Sequence, residues 1–570
     1  MDPEKKIRTW VPLWIALGIA LGIFIGNRFS VFTRVGKVQG TEKLNAVLDY
    51  IQSSYVDPIN TSQLVEDALP NIVQELDPHS AYIPADEMKR VNEDLEGHFS
   101  GIGVSFYVLR DTITVTSIVP GGPSEAAGIY PGDRIVKVND SLVAGTGITN
   151  DQVLKTLRGE KGSQVTLSIL RPPKHALTNI TVTRGDIPMN SVNASYMLTE
   201  DIGYIKVGTF AFNTFSEFIS AISKLKSQGC ESVVVDLRGN VGGSLETVVA
   251  MVNEFLNKGD LIVYAEGRNF PRTDDYADGT GTCKENKIVV LIDEMSASAS
   301  EIFSGAIQDH DRGLIIGRRS FGKGLVQSQR DFYDGSAIRL TVARYYTPSG
   351  RSIQRKYEKG HYDEYEMDAI NRYMKGDYVN VDTVANGNLK PFKTESGRTV
   401  FGGDGIMPDI FIPRDTTGIN SYYNTLVNKN LVQEYAMLYS DENRNKLDKF
   451  KSWHELYLHL KKQPLLLNLV SYVDSKGVRQ RPYYISESRN LLESQLHAYI
   501  IRNFWGEEGF FAVLMEKDNL VDKAIELITS GKAAPKAVAK LLYAEPGKTV
   551  AGLLNHRYPI RDFYVLPNIA

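Results

Sequence analysis

Two cysteines, Cys230 and Cys283, are all that 570 residues offer, so a disulfide framework is excluded. One bridge is the most they allow. Each lies just upstream of an apolar strand candidate, and two unpaired buried thiols is the plainer reading. No Cys or Cys/His cluster has the spacing of zinc ligands. There is no long basic run, and a net charge of −4 gives no electrostatic reason to expect nucleic acid. Histidine is also scarce: of nine, none has a telling neighbourhood, and His310 in QDHDR reads as a solvated loop residue. No metal or cofactor is implied.

What is present is ordinary folded protein, 42% hydrophobic and 23% charged, of a length that predicts roughly three or four domains. Near the N-terminus, WVPLWIALGIALGIFIG (Trp10 to Gly26) runs 17 residues without a charge, after Lys5, Lys6 and Arg8. That is near the lower limit for a bilayer span. A cleaved signal peptide is the rival, but its apolar region would be about 7–15 residues and no Ala-x-Ala follows. An uncleaved anchor spanning the lipid bilayer is the expectation. Arg28, Arg34 and Lys37 follow the span, so charge sets orientation poorly. The short N-terminal tail favours a cytoplasmic N-terminus and an extracytoplasmic, periplasmic body.

The periodicities predict an α/β multidomain protein. After a tail and anchor (1–40), residues 41–97 carry apolar side chains at three- and four-residue spacings, a helical pattern that LDPHSAYIP breaks. From 98 to 186 the period becomes two, with one short helix that Asn150 or Asp151 is expected to cap, which reads as a small β module. From 187 to 414 apolar strands alternate with helices, the signature of a buried sheet covered by helices. Residues 415–570 are polar and aromatic with amphipathic helices and no visible chemistry; a helical packing or partner domain is the expectation.

Chemistry concentrates in KIVVLIDEMSASASEIFSGAIQD (287–309). Ala299, Ile302, Phe303, Ala306 and Ile307 fall on one helical face, so a helix begins near Ser298. Ser298 and Glu301 match a capping box, which would explain the serine without catalysis. The same geometry also exposes a hydroxyl and aims the Ala299 N–H where an oxyanion would form. A serine nucleophile needs a base. Lys323 in SFGKGLVQ has glycine on both sides, and burial there would lower its pKa and leave a neutral amine. Gln327, four residues on and on the same strand face, would orient that amine. A second glycine-rich turn, DLRGNVGGS (236–244), lacks the Gly-Lys-Ser/Thr of a phosphate loop. It ends at a helix capped by Ser244, where Gly242 and Gly243 offer N–H groups to an oxyanion, unless the glycines serve the tight turn alone.

Together these segments resemble the C-terminal processing peptidases, also called tail-specific proteases. SASASEIFSGAIQDHDRGLIIGRRSFGKGLVQ is similar to that family's catalytic block, DLRGNVGG to its strand turn, and LDPHSAYIP and GDGIMPDI are family-like. Val241 departs from the pattern, where many members carry proline. The resemblance implies that Ser298 is the nucleophile, that Lys323, 25 residues later, is the general base, and that Gln327 is its helper. It also makes 98–186 a PDZ domain. There SGIGVSF would hold a peptide's terminal carboxylate on the N–H groups of Ile102, Gly103 and Val104, the peptide adding a strand to the sheet edge. Arg158, in LRGEKG, matches an arginine that couples peptide binding to the active site; a solvated turn arginine is the alternative. The implied protein is a serine endopeptidase acting on polypeptides with accessible C-termini, and in relatives the helical parts support a homodimer. The alternatives are a non-catalytic binding protein, a PDZ scaffold, and a hydrolase with a histidine base.

Overall fold

The computed structural model describes residues 40–171, 177–358, 360, 364–365, 367–379 and 390–535, with Ala16, Gly18 and Ile19. Apart from those last three, the expected anchor at 10–26 lies outside the described residues. Among the described residues no helix is long and apolar enough to cross a membrane.

The chain divides into two compact units, 1–75 and 76–570. The first holds helices α1 (Gly40–Ser54) and α2 (Thr61–Gln74). Asn60 starts α2 by accepting the N–H groups of Ser62 and Gln63 at 3.1 and 3.3 Å. The boundary falls earlier than the helical pattern suggests. Residues 76–97 belong to the second unit, because β1 (Ala81–Ile83) pairs antiparallel with a strand more than 250 residues away, and α3 (Ala85–Glu96) follows it directly.

A two-stranded neck, β2 (His98–Gly101) with β9 (Gly185–Pro188), closes off the β module. Inside it the sheet order is β3 (Val104–Leu109), β4 (Thr112–Ile118), β5 (Arg134–Val138), β7 (Gln164–Leu170) and β8 (Leu177–Thr183), with β6 (Ser141–Leu142) paired to β5. Helix α4 (Asn150–Leu157) is capped by Thr149, in a reciprocal box with Gln152, and not by Asn150 or Asp151. Thr149 is the residue still in extended conformation, which a side-chain cap requires.

The α/β core has strand order β10 (Val192–Met197), β11 (Ile202–Val207), β12 (Ser232–Asp236), β15 (Lys287–Ile292), β16 (Leu314–Gly317) and β19 (Ile410–Phe411), parallel from β11 onward. Helices α5 (Thr214–Ser227), α6 (Leu245–Asn253) and α7 (Ala299–Asp309) cover one face. A second sheet, β1–β18–β13–β14 with β17 on β18, flanks the core; its strands are β13 (Leu261–Gly267), β14 (Phe270–Tyr276), β17 (Leu325–Asp331) and β18 (Ala337–Tyr346). Cys230 and Cys283 are both buried and unpaired.

The other face of the parallel sheet is covered from far along the chain. Residues 421–529 form α8 (Ser421–Asn428), α9 (Leu431–Glu442), α10 (Trp453–Leu460), α11 (Leu465–Ser475), α12 (Pro482–Met515, broken at Gly506) and α13 (Asn519–Thr529). Most pack around their own core, but Leu520, Val521, Ala524, Leu527 and Ile528 of α13 bury against Tyr204, Val234, Val289, Leu291 and Ile316. The continuous apolar runs Val233–Val235 of β12 and Ile288–Ile292 of β15 require such a second layer.

His497 on α12 is buried edge-on to the Tyr457 ring, with centroids 5.7 Å apart. Burial, aided by the Lys461 charge, pulls its imidazole from 6.5 down to about 4. Between those values the unfolded chain holds a proton that the folded chain does not, so stability falls as pH drops through that window. Denaturant unfolding at pH 7 and pH 5 should show a smaller difference for His497→Gln than for the parent.

Candidate active site

Helix α7 starts where β15 ends, and Ser298 occupies the turn with φ 54° and ψ −110°. A non-glycine residue held there costs about 1–3 kcal/mol, and such strand-to-helix turns push a side chain outward. The flanking residues anchor the turn. The Asn240 carbonyl accepts the Ala297 N–H at 3.0 Å and the Ser300 hydroxyl at 2.9 Å, while the Ser296 hydroxyl donates to the Leu237 carbonyl at 2.8 Å. The small alternating side chains allow close approach. A Cβ on Gly242 would stand 2.8 Å from the Ser298 Cβ and 2.9 Å from the Ala297 carbonyl oxygen.

Glu301 does more than complete a cap. Its buried carboxylate accepts the Ser298 N–H at 2.9 Å and the Lys323 N–H at 2.8 Å on one oxygen. On the other it accepts the Gly322 N–H at 2.7 Å and the Ser320 hydroxyl at 2.5 Å. Burial pushes this carboxyl up, and the donors pull it back toward the charged form. The segments bearing Ser298 and Lys323 therefore meet on a single side chain.

Lys323 is largely buried, and its Nζ donates to Gln327 Oε1 at 3.1 Å. Burial lowers its pKa, the Arg339 charge lowers it further, and Glu301 and Asp77 oppose the shift. Gln327 Nε2 in turn donates to the main-chain carbonyl of His79. The expectation that no histidine has a telling neighbourhood fails here. His79 is pulled down to about 4 by burial and then by the Lys323 charge, and its Nε2 lies 2.6 Å from the Tyr365 hydroxyl. Asp77 fixes this segment by accepting the N–H groups of His79 and Ser80, each at 2.8 Å. Only the family-like LDPHS motif signalled its importance. His310 is likewise not a solvated loop residue. It caps the opposite end of α7, where its Nε2 lies 2.7 Å from the Leu261 carbonyl, about 16 Å of helix away from Ser298.

The glycine turn separates its two candidate donors. Gly242 gives its N–H to Asn240 Oδ1 at 2.8 Å and so is not available to an oxyanion, correcting that part of the expectation. Gly243 is held at φ 144° against Phe210, where a Cβ would meet the carbonyl oxygen at 2.2 Å. Neither its N–H nor that of Ala299 has an acceptor among the described residues.

In the β module, the Ile102 and Gly103 carbonyls accept from Ser124 and Val119, both at 3.0 Å, and Gly103 has φ 75°. Val104 begins β3, an end strand of its sheet whose second edge is paired by no strand among the described residues. Arg158 is not a solvated turn residue. Its guanidinium lies 4.1 Å from the Phe99 ring centroid and donates to Glu93 of α3 at 3.2 Å.

Removing the Arg339 charge should raise the Lys323 pKa. In Arg339→Gln the rising limb of kcat/KM should move to higher pH relative to the parent. An unmoved limb, or one moved to lower pH, would count against Lys323 as the titrating base.

Residues 201–363 match peptidase family S41 and residues 100–183 match a PDZ domain. Residues 422–506 match a family of unknown function, DUF8443. A "Probable CtpA-like serine protease" of Staphylococcus haemolyticus is 37% identical over 320 residues, 56% of this chain and 63% of that relative. The chain thus spans less than two thirds of that relative's length. Among solved structures, the photosystem II D1 C-terminal processing protease is 29% identical, covering 54% of this chain and 88% of its own, with a TM-score of 0.30. The PDZ domain of a Vibrio cholerae carboxy-terminal protease, solved with a peptide, is 29% identical over 16% of this chain and 97% of its own, with a TM-score of 0.15. By these matches the chain joins a PDZ domain to a domain of peptidase family S41 and is similar to CtpA-like serine proteases.

Proposed function

We propose that this protein is a serine endopeptidase that grips the C-terminal ends of polypeptides through its PDZ domain and cleaves them with a Ser298–Lys323 dyad. The observation that carries this reading is the Glu301 carboxylate, which holds the main chains of a strained serine and a desolvated lysine on one oxygen atom. Neutral Lys323 takes the Ser298 hydroxyl proton as Oγ attacks the scissile carbonyl carbon. The Ala299 and Gly243 N–H groups stabilise the oxyanion. As the tetrahedral intermediate collapses, the C–N bond breaks and the leaving amine receives the proton from Lys323. Water then attacks the acyl-enzyme, passing its proton through the same amine to Ser298. Gln327, held by the His79 carbonyl, keeps the amine aimed.

The PDZ groove would receive a terminal carboxylate at Ile102, Gly103 and Val104, with the peptide lying along the open edge of β3. Arg158 would relay occupancy through Glu93 and α3, whose preceding strand β1 follows the His79 segment.

With an unfolded polypeptide bearing an apolar C-terminus, Ser298→Ala and Lys323→Ala should each lower kcat by about 10⁴-fold or more. Amidating the substrate's C-terminus should raise KM with little change in kcat. Retained turnover in Lys323→Ala would sink the dyad; equal KM for acid and amide would sink the PDZ grip.

We further propose that residues 10–26 anchor the protein and that its body acts outside the cytoplasm, on the strength of the uncharged run behind Lys5, Lys6 and Arg8. The full chain should stay with membranes after carbonate washing, and a chain starting at residue 38 should not. Release of both would refute the anchor.

A further inference from the structure

A strand that covers its own domain's core should alternate buried and solvated residues, yet β4 of the PDZ domain is buried on both faces. Ile113 and Val115 face the domain core, and Thr114 and Thr116 on the opposite face are also buried. Beside them on β3, Tyr107 pairs directly with Thr114 and shares that outer face. Its hydroxyl is pushed up to about 12 by burial and by Glu434 and Tyr472.

The cover is the C-terminal helical domain: α9 packs on β3 and α12 on β4. Arg134 of β5 donates to Asp441 of α9 at 2.5 Å, with both side chains about four-fifths buried. The same α12 continues onto β10 of the peptidase, where Glu508 meets Lys224 at 2.7 Å. Just beyond it, Asp518 caps α13 and accepts Arg238 Nη1 at 2.8 Å. Arg238 stands in the turn that leads to Gly243 and grips the buried Asp236 with its remaining nitrogens. One domain therefore touches the peptide-binding module at one end and the oxyanion turn at the other. Among the described residues, the second edge of β3 stays unpaired.

We infer that the C-terminal helical domain is a brace that fixes the PDZ domain on the peptidase and thereby sets how far from its bound C-terminus a substrate is cut. The inference rests on the proposed function, since the distance runs from the PDZ groove to Ser298. Without the brace, the PDZ domain would be held through the two-stranded neck and the Arg158–Glu93 contact, and one bound end would reach Ser298 in many registers.

The test uses the full chain with Arg134→Glu, Asp441→Arg and the double reversal, alongside the parent and Ser298→Ala. Cut positions, counted from the substrate's C-terminus, are read by mass spectrometry. Amide exchange is followed at 104–118 and 431–442, with 287–307 as a folding control. The parent should cut in a narrow window. Each single reversal should widen it and speed exchange of both segments about tenfold, with 287–307 unchanged. The double reversal should restore both. Single reversals that leave cut positions and exchange at parent values would overturn the brace, as would a double reversal that restores neither. Cutting by Ser298→Ala, or none by the parent, would overturn the peptidase reading and the distance-setting role with it, while exchange would still report on docking.

Discussion

The active-site architecture hangs on one buried carboxylate. Glu301 lies in the first turn of α7, and a charge there without partners would be prohibitively costly. It is held by four donors, three main-chain N–H groups and a hydroxyl, drawn from the Ser298 turn and from residues 320–323. Because three of the four partners are backbone groups, the carboxylate fixes where the chain runs and not merely where a side chain points. The strained backbone of Ser298 and the glycine-flanked path of Lys323 persist because this joint over-determines them.

The chemistry of the lysine follows from what surrounds it. Four stretches converge on its amine: the Asp77–His79 turn, the Glu301 helix start, Gln327 on β17 and Arg339 on β18. Burial and Arg339 act against its charge, and Asp77 and Glu301 act for it. The neighbouring imidazole cannot relieve the site by taking a proton, since burial and the lysine itself hold it neutral at ordinary pH. A lysine depressed in pKa beside a neutral histidine suits proton transfer to and from a serine hydroxyl.

Layer packing explains why a region without chemistry matters to the site. The parallel sheet needs apolar cover on both faces, and α13 supplies one of them. The segment that joins it to α12 also supplies Asp518, so the helix that finishes the core is tied to the turn bearing Gly243. Truncating one of these side chains, Leu520→Ala for example, would cost about 2–5 kcal/mol and open a cavity beneath that sheet.

Much of the site was legible because it is local. Ser298 and Glu301 are three residues apart, Lys323 sits between glycines and Gln327 follows four residues on, so local spacing brought them forward as candidates, although Lys323 precedes β17 and shares no strand face with Gln327. The α/β alternation and the period-two module were readable for the same reason. What escaped reading is non-local. No pattern links His79 to Lys323, since they meet only through pairing of β1 with β18. Gly242 and Gly243 look alike in sequence, yet the Asn240 side chain captures the N–H of the first and leaves that of the second. Glu301 reads as a helix cap until residues 320–323 fold against it. The sequence by itself determined which groups could react, because side-chain chemistry and short-range periodicity are written in it. Tertiary structure alone decided their pKa values, their donors and the brace around them, because burial and charge act through space between segments the chain keeps far apart.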